Sequence, residues 1–146
     1  MKPVILIPTY NESVAIVELL SSLTTLHNVR DFDVIVLDDN SPDKTADIVD
    51  NLKLPWVRVL RRPGKAGLGA AYRAGFAEVL KGNTYTHVVT MDADGSHRVE
   101  DLPAMLDAPH SNELSITLGT RWMKGGSVVN WPLHRQLLSR TGTAYA

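Results

Sequence analysis

Short apolar runs rich in β-branched residues alternate with segments of helical periodicity along most of this 146-residue chain. Val4-Ile5-Leu6-Ile7, closed by Pro8, reads as a buried strand. Val14 to Leu26 then sets Ile16, Leu19, Leu20, Leu23 and Leu26 at helical spacing. Asp33 to Leu37 is a second strand. Ser41-Pro42 signals a helix start, because Ser caps and Pro is tolerated in the first turn. Ile48, Val49 and Leu52 give that helix its apolar face. Trp56 to Leu60 is a third strand, followed by a Gly-rich turn and a helix carrying Leu68, Tyr72, Phe76, Val79 and Leu80. His87 to Met91 is a fourth strand. Leu102, Met105 and Leu106 mark a short helix, and Leu114 to Leu118 a fifth strand.

Parallel strands need long crossovers, and helices supply them. The alternation therefore predicts an α/β fold: a mainly parallel sheet with helices on both faces. The length suits one domain. From Gly119 onward the pattern weakens, and Gly125-Gly126-Ser127 reads as a loop.

Composition narrows the function. A net charge of −1 gives no global basic field of the kind nucleic-acid binders use, so any anion site must be built locally. The absence of cysteine excludes a disulfide framework and thiolate metal sites. The longest apolar runs are too short to span a bilayer.

Three strands end in polar or acidic residues: Pro8-Thr9-Tyr10-Asn11-Glu12, Asp38-Asp39-Asn40-Ser41 and Asp92-Ala93-Asp94. In an open α/β sheet these ends form the ligand rim. Carboxylates crowded there repel one another unless a cation or a donor sits among them. Alternate residues at a strand end can aim one carboxylate at a metal and the other at a ribose or sugar hydroxyl. Hard Mg²⁺ or Mn²⁺ suits such oxygen ligands, often one or two carboxylates plus substrate phosphates. A D-x-D alone is more often a solvated loop. Two further acidic strand ends reverse that balance. In Asp38-Asp39-Asn40-Ser41-Pro42-Asp43, capping explains Ser41 but not adjacent carboxylates closing an apolar strand. Arg61-Arg62-Pro63-Gly64-Lys65-Ala66-Gly67-Leu68-Gly69 enters a helix. Its glycines permit close backbone approach, and a helix N-terminus favours phosphate. A plain flexible connection is the other reading.

Together and in this order, these motifs resemble the family-two glycosyltransferases of the glycosyltransferase A (Rossmann-like) fold. The carriers are residues 7–12, 38–45, 62–69 and 91–97. The Gly-rich segment, with Gly119-Thr120-Arg121-Trp122 and Gly125-Gly126-Ser127, is similar to the polyprenol-phosphate (dolichol-phosphate) mannosyltransferase branch. Thr143 departs from it, standing where Asn is expected.

The resemblance implies that Pro8, Tyr10, Glu12 and Asp39 hold base and ribose. Leu37, Lys65, Gly67, Asp92, Ala93 and Asp94 complete the nucleotide-sugar site. Asp94 and Ser96 are implied at the metal, Mg²⁺ or Mn²⁺. Arg121, Arg135 and Arg140 are implied near the donor and acceptor phosphates, acting with Asp94 in catalysis. Arg135 and Arg140 also fit a solvated amphipathic helix with Leu133, Leu137 and Leu138 inward.

The implied reaction is inverting transfer of a hexose, mannose from GDP-mannose, to a polyprenyl phosphate. A phosphate acceptor is already anionic, with a second ionisation at about 6 by analogy with phosphoryl side chains. It needs alignment and charge screening more than a general base. Other donors such as UDP-glucose stay open. So do a non-catalytic binding module and a haloacid-dehalogenase-like phosphatase, whose D-x-D-G-[ST] look Asp92 to Ser96 shares. The resemblance further implies a cytoplasmic chain, peripheral at a membrane's cytoplasmic face. It implies a catalytic domain that continues beyond Ala146, with residues 119–146 opening the acceptor side.

Overall fold

The computed structural model describes residues 2–82, 84–107 and 132–145, with the side chains of Arg140 and residues 142–145 left aside. The chain divides into two units, Met1–Asp107 and Ala108–Ala146.

The first unit holds a four-stranded, all-parallel sheet in the order β3-β2-β1-β4. The strands are β1 (Lys2–Thr9), β2 (Asp33–Asp38), β3 (Val57–Arg61) and β4 (Tyr85–Thr90). Side-chain alternation splits the core in two, since successive residues of a strand face opposite ways. Ile5, Ile7, Val34 and Val36 pack with Ile16, Leu20 and Leu23 of α1 (Ser13–His27), Val49 of α2 (Thr45–Asn51), and Leu102 and Leu106 of α4 (Leu102–Leu106). Val4, Leu6, Ile35 and Leu37 turn to the other face and meet Ala71 and Val79 of α3 (Leu68–Val79). Helices therefore cover both faces, as the alternation of elements requires. The chain winds outward through β1, β2 and β3, then returns through α3 to β4 on the far side of β1. Right-handed crossovers put α3 on the face opposite α1 and α2 once the direction reverses.

Two local expectations change. The α3 helix does not bury the large residues that its sequence displays. Its inward stripe is Ala71, Gly75 and Val79, while Leu68, Phe76 and Leu80 are exposed. Small residues let the helix approach closely: a Cβ on Gly75 would lie 2.8 Å from a Leu6 methyl and 2.9 Å from one of Leu37. The second helix starts at Thr45, not at Ser41-Pro42, and the side chain of its N-cap residue, Lys44, makes no capping bond. Ser41 is engaged elsewhere, as described below.

The proposed fifth strand, Leu114–Leu118, lies outside the described residues. In the second unit, α5 runs Leu133–Tyr145, and Leu133, Leu137 and Leu138 are exposed rather than turned inward. No helix among the described residues is long and apolar enough to cross a membrane.

Candidate functional site

Winding reverses between β1 and β4, and a ligand crevice belongs outside the carboxyl ends of strands at such a switch point. A cleft of about 300 Å³ opens there. Pro8, Thr9, Tyr10 and Glu12 line it from the end of β1, and Asp39 from the end of β2. Asp92, Ala93 and Asp94 line it beyond β4, and Lys65, Gly67, Leu68 and Ala71 complete the wall at the start of α3. Nine positions implied for the nucleotide sugar thus share one cleft. Leu37 does not line it; it is fully buried against α3.

The loops after β1 and β2 are joined side by side. Asp38, buried, accepts hydrogen bonds from Thr9 Oγ1 (3.1 Å), Ser41 Oγ (2.6 Å) and the Ser41 N–H (3.0 Å). In return the Ser41 hydroxyl accepts the Asn11 N–H at 3.1 Å. Thr45 Oγ1 accepts the Glu12 N–H at 3.1 Å, and Asp43 accepts the Ser13 N–H at 3.0 Å. These bonds satisfy donors at the start of α1, which its own sequence leaves uncapped. Asp43 also accepts the Thr45 hydroxyl and N–H. Burial works to raise its pKa, but the hydrogen bonds from Thr45 and Ser13 together hold it below the usual carboxylate value. Most of the second motif is therefore a brace for the first. Asp39 alone among its acids reaches the cleft.

Asp39 is not a bare carboxylate. It forms an ion pair with Arg62, both side chains almost fully buried, and accepts the Ala66 N–H at 3.4 Å. That ties the Gly-rich segment to the rim. Beside it, Lys65 lies over the Tyr10 ring at 4.2 Å from the centroid, a cation–π contact. Gly67, at φ +87°, precedes α3 with open space around its Cα. Glycine is needed there for the backbone angle, not for room. Sequence reading missed Arg62 as a partner of Asp39, because nothing in the spacing sets residues 23 apart together.

The turn after β4 is more open. Asp94 is exposed, and its Oδ1 accepts the Ser96 N–H at 2.9 Å. The Ser96 backbone N–H and then its hydroxyl hold the Asp94 carboxyl below its usual range, so it is ionised at neutral pH. The Asp92 N–H donates to His97 Nδ1 at 3.1 Å, a role for His97 that no sequence spacing suggested. Ser96 lies beside Asp94 but is not among the cleft-lining residues. No group of three or more acidic, His or Cys side chains among the described residues could hold a metal by itself. The ionised carboxylate of Asp94, lining this cleft, does fit a hard cation that takes its other ligands from a substrate.

A second hollow, of about 110 Å³, is lined by Asp38, Ser41, Asp47 and Arg61; Arg61 pairs with Asp47 at 2.9 Å and Asp50 at 2.7 Å. Arg121 is outside the described residues, and so is the side chain of Arg140. Arg135 is an exposed residue of α5 in the second unit.

Against known proteins, the profile of glycosyl transferase family 2 matches residues 4–145. The chain belongs to that family. The phosphatase alternative falls with this match. The family-2 chain is 44% identical over 99% of its length to an undecaprenyl-phosphate mannosyltransferase of Micrococcus luteus, covering 58% of that protein. It is 40% identical over 99% of its length to a polyprenol monophosphomannose synthase of Mycolicibacterium smegmatis, covering 54%. Its identity to a dolichol-phosphate mannosyltransferase of Pyrococcus furiosus is 38% over 96% of the chain, covering 39%. The family-2 chain thus spans about half the length of these relatives or less. Its fold resembles a mannosyltransferase of Pyrobaculum calidifontis solved in complex with GDP-Man and Mn²⁺. That match has a TM-score of 0.57 at 22% identity, over 70% of this chain and 30% of that one. The expected α/β architecture of the glycosyltransferase A type is borne out.

Proposed function

We propose that this chain is the donor-binding part of an enzyme that transfers mannose from GDP-mannose to a polyprenyl phosphate. One observation carries the reading. The cleft at the switch point joins a nucleoside-sized rim, Pro8 to Glu12 with Asp39, to a helix N-terminus and a D-x-D turn. Those are the three chemistries of a sugar nucleotide: a base with ribose, a diphosphate and a sugar. The names of the three relatives support mannose and a polyprenyl phosphate.

Asp39, already fixed by Arg62, can accept hydrogen bonds from ribose hydroxyls or base N–H groups without reorienting. Gly67 and Leu68 start α3, where free backbone N–H groups and the helix dipole favour phosphate. Lys65 adds a cation at the same wall. Asp94, with Ser96 beside it, would hold Mg²⁺ or Mn²⁺ together with the donor's diphosphate. When bound, that ion neutralises charge developing on the leaving diphosphate. The acceptor phosphate brings its own anionic nucleophile, and attack opposite the leaving group inverts the anomeric centre. Arg121, Arg135 and Arg140 are proposed to screen the two phosphates, since Arg meets phosphate bidentately. The enzyme is proposed to act at the cytoplasmic face of a membrane, where the lipid is reached peripherally.

Titration calorimetry tests the donor site. GDP and GDP-mannose should bind with Mn²⁺ or Mg²⁺ and bind more weakly once the ion is chelated. UDP-glucose should bind less well. Asp94→Ala should remove most of the metal effect. Equal affinity with and without metal in the native chain would refute the metal role, and preference for UDP-glucose would replace the donor.

A further inference from the structure

The Asp92 carboxylate is oriented from outside its own turn. Tyr72, on α3 and half-buried, donates its hydroxyl hydrogen bond to Asp92 Oδ1 at 3.2 Å. The Asp92 main chain is held separately, through its N–H, by His97 Nδ1 at 3.1 Å. The second carboxylate oxygen, Oδ2, has His97 Nε2 at 3.8 Å, beyond hydrogen-bond range. One oxygen is thus tethered, and Asp92 still lines the cleft. Asp94 differs: its tether is Ser96, two residues along the same turn. The orientation of Asp92 therefore depends on α3, whose first residues line the same cleft.

Burial, and then the negative charge of Asp92, push the Tyr72 phenol well above its ordinary pKa. It keeps its proton at any physiological pH and remains a donor. A neutral donor tethers the carboxylate without cancelling its charge, as a lysine would.

We propose that Tyr72 is a positioning residue: it holds the Asp92 carboxylate in the rotamer that meets a hydroxyl of the transferred sugar. The inference deepens the donor-site reading above and rests on it. A carboxylate fixed before binding loses less rotamer freedom when the sugar arrives. Its effect should therefore fall on the sugar and not on the nucleotide.

The experiment is titration calorimetry of GDP-mannose and of GDP, both with Mn²⁺, on four chains. These are the native protein, Tyr72→Phe, Asp92→Asn and the double variant, each with a thermal melt. Tyr72→Phe should weaken GDP-mannose about tenfold, the usual scale for a hydrogen bond to a charged group. It should leave GDP within about twofold, the range of changes that touch no ligand contact. In the double variant the two losses should not add, because both act through one carboxylate. A fifth chain, Phe76→Leu, changed at an exposed position of the same helix, should leave both affinities unchanged. Three outcomes overturn the proposal while leaving the donor site standing: native affinities in Tyr72→Phe, additive losses, or equal loss of both ligands with a lowered melting temperature. A native chain that binds neither nucleotide overturns the donor site itself, and Tyr72's role with it.

Discussion

The two acidic strand ends look alike in sequence and are built in opposite ways. After β2, every acid is tied to protein donors, and among them only Asp39 still lines the cleft. Asp38 accepts three hydrogen bonds, Asp43 spans to the start of α1, and Asp39 carries a buried arginine. After β4, Asp94 is exposed and has a backbone partner in its own turn, while Asp92 hangs on one tyrosine hydroxyl. The difference teaches which carboxylates are scaffold and which are available. A carboxylate whose lone pairs are filled by protein donors stabilises the loop. One with lone pairs to spare can take a cation or a sugar hydroxyl.

That contrast is open to direct attack. The largest effect should come from Asp39→Ala. Removing one partner of a buried pair leaves Arg62 uncompensated, and should cost about 3–5 kcal/mol of stability. Urea unfolding would show it as a lower midpoint at unchanged slope. Nucleotide affinity should fall as well. A stability loss below about 1 kcal/mol, the scale of an exposed pair, would mean that the ion pair is solvated and the brace ends before Asp39.

Asp43→Ala should come next, at about 1–2 kcal/mol, the cost of losing cap-like hydrogen bonds to Ser13 and Thr45. This effect has a sign in pH. The folded-state pKa of Asp43 is lowered, so its contribution is complete above the unfolded carboxylate value of about 4. It is lost as pH falls through the lowered folded value. Native and variant stabilities should therefore differ near neutral pH and converge in acid. A gap that persists at low pH would assign the effect to packing.

The smallest change in stability should be that of Asp94→Ala, within about 0.5 kcal/mol, because the side chain is exposed and its partner lies in the same turn. Metal-dependent binding should nonetheless collapse. If unfolding shows Asp94→Ala as costly as Asp43→Ala, the two strand ends are not different in kind.

Sequence alone determined the layered α/β architecture and the rim on which ligands should sit. Periodicity reports which residues leave water, and four parallel strands with intervening helices have few ways to bury them. The acids at the strand ends were visible for the same reason: a carboxylate closing an apolar run is costly without a partner. Only the tertiary structure decided the partners. Arg62 meets Asp39, Asp43 meets Ser13, and Tyr72 meets Asp92 across separations of 23, 30 and 20 residues, which no local pattern encodes. It also decided the face of α3. Leu68 and Phe76 promised burial by their chemistry, yet Ala71 and Gly75 went inward. The reason is geometric: with the Leu6 and Leu37 methyls directly beneath, only a small residue leaves the helix close enough to the sheet to set its N-terminus at the cleft.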